Sequence, residues 1–549
     1  MLVEICLSAC RAGLVRSVCG RRRRPLLAVV CLVLLTIAVV RRLTKGGPSA
    51  GGQATTTHVT PPADTTPRDV VMTSRDAGDD ETEVDVQKVV RSAVGLVERS
   101  GAMSALVDGL RAGADVNGTV MISVVDGKFA DFAFNFYTTA TRLNLSSVLL
   151  CVDRDATVYL RSRQVPCVPF YVRHAVDGAG DFGTRRYNAV TNLKTLAVLC
   201  ALHGGYDALV VDVDVSLFAD PRPHFRCGAC DVHVQMDRAQ ANSGFAHVRR
   251  TPGGVRLYAR AWRMYTRYRR ASDQTYLNSA MDVLRGDGRL RVRELPVDRF
   301  ACGYYYFEYD GRHFYNEPAC PGCVMAHSNY IGTVAAKRYR LRENLLWRVE
   351  EDGYYTSGET RYLVYGNPYD LSERAMHLEK TALTNAFHLA RLTGRIVILP
   401  SFRCCDCAGK VCASAGRRCS LLSVLDVKRF EAAVGRRYRE HSFLRHPLVE
   451  ARRLNASEVL VVNTTFYRNR GVPETRPGAV FQPARGRGVN TTELLAWLEH
   501  FRASSVLRFH SLYDVFTDVG ASAQTDFTDR SFNCTSYEQW QQQTLDDML

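Results

Sequence analysis

Nowhere in the chain do basic and aromatic residues interleave into a stripe, the pattern expected of a nucleic-acid surface. No nucleic-acid partner is expected, despite a formal net charge of +15. Nine of the positive charges (Arg11, Arg16, Arg21, Arg22, Arg23, Arg24, Arg41, Arg42 and Lys45) flank one apolar run, and the other arginines are scattered. A preference for acidic glycans stays open. Also missing is the regular paired spacing of a zinc ribbon. Cys227-x-x-Cys230, Cys320-x-x-Cys323 and the five cysteines within 404–419 therefore read as disulfide candidates. Residues 43–85 lack hydrophobic periodicity and are rich in Gly, Pro, Thr, Ser and Asp, so they cannot bury a core. They read as a flexible stem, open to O-glycosylation.

The apolar run, Pro25 to Val40, holds sixteen uncharged residues. As a helix it spans about 24 Å, somewhat short of a ~30 Å hydrocarbon core, which suits snorkelling arginines or a thin bilayer. Six basic residues precede it and three follow closely, an asymmetry that favours a cytoplasmic N-terminus and a luminal body. A cleaved signal peptide would share the basic leader and the apolar run, but no clean small-x-small cleavage site follows directly. Asn117, Asn144, Asn455, Asn463, Asn490 and Asn533 each begin an Asn-x-Ser/Thr sequon, and fourteen of the eighteen cysteines lie beyond the run. Both features suit an oxidising lumen. The expected organisation is a tail (1–24), a transmembrane signal anchor (25–40), the stem (43–85), a catalytic domain (86–360) and a C-terminal domain (361–549), in a single-pass type II Golgi membrane protein.

Beyond the stem, strand and helix signals alternate. Residues 119–125 and 148–152 read as strands, and Tyr187 to His203 as a helix stopped by Gly204-Gly205. A further apolar strand, from Tyr206, runs into Asp212 and Asp214. Succession of this kind predicts an α/β fold with a largely parallel sheet whose ligands gather at the carboxyl ends of the strands. Residues i and i+2 of an extended chain share a face, so the two carboxylates can share a hard divalent cation and, through it, a diphosphate. A carboxylate pair that merely ends a strand would show the same spacing. Helix 254–270 places Tyr258, Trp262 and Tyr265 on one face, and Ser272 can cap a helix that opens with Asp273. The aromatic segment 303–315 suits strand packing or stacking on sugars. From residue 361, a capping box at Asp370 and Glu373, a helix ended by Gly394, and strands at 396–399, 458–462 and 505–509 predict a second α/β domain.

The ordered set Gly205-Tyr206, Asp212-Val-Asp214, Asp220-Pro221, Asn242-Ser243-Gly244-Phe245, Asp273-Gln274 with Asn278, and His327-x-Asn329 with Gly332 and Lys337 resembles glycosyltransferase family 77 over residues 119–347. The resemblance implies a GT-A Rossmann-like catalytic domain transferring galactose, xylose or arabinose from a UDP-sugar to a glycan or glycoprotein, with retention and usually with Mn(II). It implies His327 as third metal ligand beside Asp212 and Asp214, and nitrogen among oxygens suits manganese better than magnesium. Lys337 would lie against the diphosphate, Asn242 and Gly244 would form a turn at the donor, and Gln274, Asn329 and Gly332 would line the substrate. Lys194 could also reach it. Asp273 is the catalytic candidate, as nucleophile or charge stabiliser, with a front-face route as the other retaining possibility. Ordinary structural duties for His327, Lys337 and Asp273 are the bland alternative. A noncatalytic glycan-binding or chaperone-like protein on the same fold is the rival of another class, and an inverting enzyme the rival mechanism.

Overall fold

A computed structural model describes residues 83–172, 184–308, 320–366, 375–403, 418–423, 427–462, 480–483, 489–512 and 515–516. All belong to one compact unit, Met72–Leu549. The tail, the expected anchor, nearly all of the stem, the capping box at Asp370 and the cysteines at 404–412 lie outside the described residues. Among the described residues no helix is long and apolar enough to cross a membrane.

Strand β1 (Thr119–Val125) is built of residues apolar on both sides and is covered on both faces, as parallel-sheet strands are. It pairs in parallel with β2 (Ser147–Cys151), which pairs with β3 (Val168–Pro169), and on its other side with β4 (Asp207–Val211). The helix before β4, Arg185–His203, is capped by the Thr184 side chain accepting from the Tyr187 amide. It closes at Gly204, and Gly205 follows at φ +89°, a conformation that glycine adopts without penalty.

Past β4 the sheet departs from the expected parallel pattern. After the short β5 (Val215–Leu217), β6 (Val232–Asp237) and β7 (Gln240–Val248) form a tight hairpin, and a hairpin is necessarily antiparallel. It is β7 that lies against β4, and β8 (Val292–Glu294) adds to β6, giving the order β3-β2-β1-β4-β7-β6-β8. A small second sheet brings β5 together with β9 (Phe300–Ala301) and β10 (Met325–His327). Helix Pro252–Tyr268 buries Tyr258, Trp262 and Tyr265 against helix Asp273–Gly286, whose Ser272 cap accepts from the Thr275 amide. Residues 304–308 of the aromatic segment form one π-helical turn, not a strand, with rings packed edge-on within it; the rest of that segment is outside the described residues.

A third sheet is parallel throughout. Its strands are β11 (Tyr362–Tyr365), β12 (Ile396–Ile398), β15 (Tyr438–Arg439), β16 (Ala456–Val461), β17 (Val480–Phe481) and β18 (Val506–Phe509), in the order β15-β12-β11-β18-β16-β17, while β13 (Phe402–Arg403) and β14 (Arg418–Cys419) pair with each other. Helix Ala375–Thr393 ends at Gly394, φ +61°. One apolar core holds Tyr362, Phe443 and Val506 together with Phe132 and Trp347, so the sheets are packed as one body. Disulfides join Cys151–Cys167, Cys227–Cys230 and Cys320–Cys323, while Cys200 and Cys302 are buried thiols.

Candidate active site

The two carboxylates do not converge because they lie along one extended strand. Strand β4 stops at Val211, and Asp212-Val213-Asp214 is a turn in which the Val215 amide donates to the Asp212 carbonyl at 3.1 Å. The turn leads into β5, and β10 runs antiparallel to β5 with His327 opposite Val215. That pairing carries His327 back to the turn from more than a hundred residues away. One oxygen or nitrogen from each of Asp212, Asp214 and His327 lies within 4.8 Å of the others. His327 Nε2 is 3.1 Å from Asp214 Oδ1 and 3.9 Å from Asp212 Oδ2.

The other ring nitrogen fixes the tautomer. Gln235 donates its Nε2 to the Phe300 carbonyl at 3.3 Å, which turns its Oε1 toward His327 Nδ1 at 3.3 Å. Nδ1 therefore carries the hydrogen, and Nε2 is the ring nitrogen turned to the Asp212 and Asp214 carboxylates, where it can meet a proton or a cation. Acceptors facing acceptors inside a protein are unfavourable unless a cation or proton stands between them. Space is kept for one: a Cβ on Gly244 would fall 2.5 Å from Asp212 Oδ2 and 2.5 Å from His327 Cε1. Two carboxylate oxygens and one imidazole nitrogen around such a cradle fit a borderline divalent cation.

Two lysines balance part of the charge. Lys194, nearly buried, sits between Asp212 Oδ1 at 2.8 Å and Asp273 Oδ2 at 2.9 Å. Burial alone would lower its pKa, but the two carboxylates raise it. Lys337 donates to Asp214 Oδ2. Burial would raise the Asp214 pKa, yet Lys337 and His327 outweigh it and hold the carboxyl well below its usual range. Three carboxylates thus face two ammonium groups, one more acid than lysine at the centre.

The remaining expected residues fall around this centre. Asn242 is turned inward, its Oδ1 accepting from the Gly244 amide at 2.6 Å, while the Gly244 carbonyl accepts from the Asp212 amide at 2.8 Å. The expected turn at Asn242 and Gly244 is not formed: both lie inside β7, where its pairing with β6 shifts register, and the Asn242 side-chain carbonyl is spent on the Gly244 amide there. Gln274 accepts from the Ser243 amide and donates to Asp237 Oδ2, and Asn329 donates to Asp237 Oδ1 at 2.9 Å while accepting from the Gly303 amide. Gly332 lies between β10 and helix Val334–Glu343, which carries Lys337. Asp237, Gln235 and Gly303 were not anticipated. In β6 the odd positions His233, Gln235 and Asp237 are polar and buried while Val232 and Val234 enter the core, an alternation visible in the sequence. Also unanticipated is Asp126, which leaves β1 at the edge where Asp212 leaves β4. Burial foremost, and then Asp153, push its pKa up to about 6.

A turn of two acids and a histidine at the carboxyl edge of a mixed α/β sheet defines a protein equipped to hold a divalent cation and a charged ligand. Residues 145–341 match the family described as nucleotide-diphospho-sugar transferase. Over 266 residues it is 25% identical to beta-arabinofuranosyltransferase RAY1 of Arabidopsis thaliana, covering 43% of this chain and 49% of that protein. It is 24% identical to the same plant's UDP-D-xylose:L-fucose alpha-1,3-D-xylosyltransferase 3 over 273 residues, 43% of this chain and 68% of that one. The chain thus spans about half the length of the first relative and about two thirds of the second. The glycosyltransferase GlyE of Streptococcus pneumoniae aligns at a TM-score of 0.27 and 11% identity, over 51% of this chain and 73% of that structure, too distant to place residues.

Proposed function

We propose that this protein is a UDP-sugar-dependent glycosyltransferase with a GT-A catalytic domain, transferring a galactose-, xylose- or arabinose-class sugar to a glycan or glycoprotein with retention. Its setting is the Golgi lumen, reached by a type II anchor at 25–40. The observation that carries the reading is the His327 ring, locked by Gln235 so that its Nε2 faces Asp212 and Asp214 across the Gly244 cradle. Asp212, Asp214 and His327 would hold a divalent cation of the manganese class, which when bound offsets charge on the donor diphosphate. Relatives named for arabinofuranosyl and UDP-xylose transfer support the donor class. Four described sequon asparagines, Asn117, Asn144, Asn455 and Asn490, are exposed, as luminal glycosylation requires.

Lys337 holds positive charge beside Asp214, where it can pass to a leaving diphosphate. Asp273 keeps a buried negative charge at the site through Lys194, suited to a centre that becomes positive as the glycosidic bond to UDP breaks. Gln274 and Asn329 converge on Asp237 and fix the donor-side wall. The test is UDP release by the purified full chain across a panel of UDP-sugars, with and without manganese, beside an Asp212→Ala/Asp214→Ala variant. Metal-dependent turnover of one donor, lost in the variant, is expected, with the product anomer reporting retention. No turnover together with no metal-dependent UDP binding by calorimetry would overturn the reading in favour of a binding protein.

A further inference from the structure

Strand β6 carries a second constellation, on the residue that precedes Gln235 on the same face. His233 and His247 are a cross-strand pair in the β6–β7 ladder, both buried, with their Nδ1 atoms 3.5 Å apart. Phe225 stacks flat on His247, ring centroids 4.5 Å apart. That stacking brings the loop Phe225–Cys230 over the pair, and Cys227, Cys230 and His233 each place a ligand atom within 4.8 Å of the others. His233 is fully buried, yet its Nε2 has no hydrogen-bond partner. A buried imidazole nitrogen left unsatisfied beside two sulfurs calls for a ligand.

Two sulfurs and an imidazole nitrogen are the donor set of a thiolate-binding cation. Zinc takes Cys sulfur at ~2.3 Å and His nitrogen at ~2.0 Å in a tetrahedron, so its ligand atoms stand roughly 3.3–3.8 Å apart. Cysteines three positions apart can reach that spacing from a Cα separation of 5.3 Å, and the Cys230 amide donating to the Cys227 carbonyl gives the turn. Ligating histidines need one nitrogen free and the other held, and His247 holds Nδ1. Arg226, Gly228 and Ala229 are exposed and Cys227 half-buried, which leaves a way in. The other Cys-x-x-Cys, Cys320 and Cys323, directs both sulfurs at the Asp298 carbonyl, and among the described residues it joins no such cluster with a histidine.

We propose that when Cys227 and Cys230 are reduced this cluster binds a zinc-class cation through both thiolates and His233, so that the loop has two exclusive closed forms, disulfide and metal. A dithiol reductant opens the bond, giving two cysteine thiols and its own disulfide. The cation then displaces one proton from each thiol, and no further electrons move.

The test uses the purified full chain, reduced with dithiothreitol, stripped of metal and reductant without air, and titrated with cobalt(II). A thiolate-to-cobalt charge-transfer band with tetrahedral d–d bands is expected, lost on reoxidation and in Cys227→Ser, weakened at least about tenfold in affinity in His233→Ala, and kept in Cys320→Ser. Absence of the band, or its persistence in Cys227→Ser, would overturn the proposal. Alkylation of the unmutated reduced chain gives a readout that needs no variant. Zinc should slow modification of Cys227 and Cys230 but not of Cys320 and Cys323, and equal slowing or none would be equally fatal.

Discussion

Gly244 approaches Asp212 so closely that an added Cβ would stand 2.5 Å from its Oδ2, and no backbone shift of a few tenths of an ångström relieves that contact. The Asp212 amide is tied to the Gly244 carbonyl at 2.8 Å, so turn and strand cannot simply part. Gly244→Ala should therefore displace a ligand side chain and leave the sheet standing. Manganese affinity by calorimetry is expected to fall by about 10–100-fold, the range seen when a metal site's supporting groups are disturbed, with an unchanged circular dichroism spectrum. Unchanged affinity would show that the cation does not sit at this cradle.

Gln235 is the residue through which a second prediction runs. It is fully buried, and its only described duty toward the site is to accept from His327 Nδ1. Gln235→Leu keeps much of the volume and removes the acceptor, so His327 is free to carry its hydrogen on Nε2, the wrong side for a metal. Metal affinity should drop by about 10–100-fold, while UDP affinity measured without metal stays put. Equal losses with and without metal would mean that the variant had damaged packing instead.

Which of these features the sequence carried follows from how local each one is. The strand ending at Val211, the helix stopped by Gly204-Gly205 and the Ser272 cap are written in adjacent residues, and they were legible. Asp212 and Asp214 were legible as a pair, but the reason they converge, a turn and not an extended strand, depends on β10 returning to β5. Gln235 and Asp237 meet His327 and Asn329 across 92 positions, a contact that no local pattern encodes. Their polar alternation in a buried strand was the one available signal. Both lysines were read as donor-facing, and the structure places them in ion pairs with Asp212, Asp273 and Asp214.

Asp126 sets a pH dependence of stability. Its folded pKa is raised to about 6, so between the ordinary carboxyl value near 4 and about 6 the folded state binds more protons than the unfolded one. Stability is then fully present below about pH 4 and is lost as pH rises through 6, on the order of 1–3 kcal/mol. Asn keeps the acceptor for the Phe129 amide and removes the charge that Asp153 repels. Asp126→Asn should raise the Tm at pH 7.5 and flatten its slope between pH 4 and 6. A variant whose Tm tracks the parent across that window would refute the assignment.

Asp273 and Asp212 share Lys194, and that sharing separates catalysis from binding. Removing the Asp273 charge leaves Lys194 paired to Asp212 and Lys337 to Asp214, so the cation ligands keep their partners, while the charge aimed at the reacting sugar is gone. Asp273→Asn also keeps the helix N-terminus intact, since Ser272 supplies the cap. Turnover should fall by about 10²–10⁴, the contribution usual for a positioned ionisable group, with metal-dependent UDP affinity nearly unchanged. Lys194→Met should do the opposite. It leaves two carboxylates facing each other without their shared cation, so UDP and metal affinities should both move. Steady-state kinetics beside calorimetry on the two variants reads the split. If Asp273→Asn changed UDP affinity as much as turnover, Asp273 would be a binding residue and the catalytic charge would have to lie elsewhere.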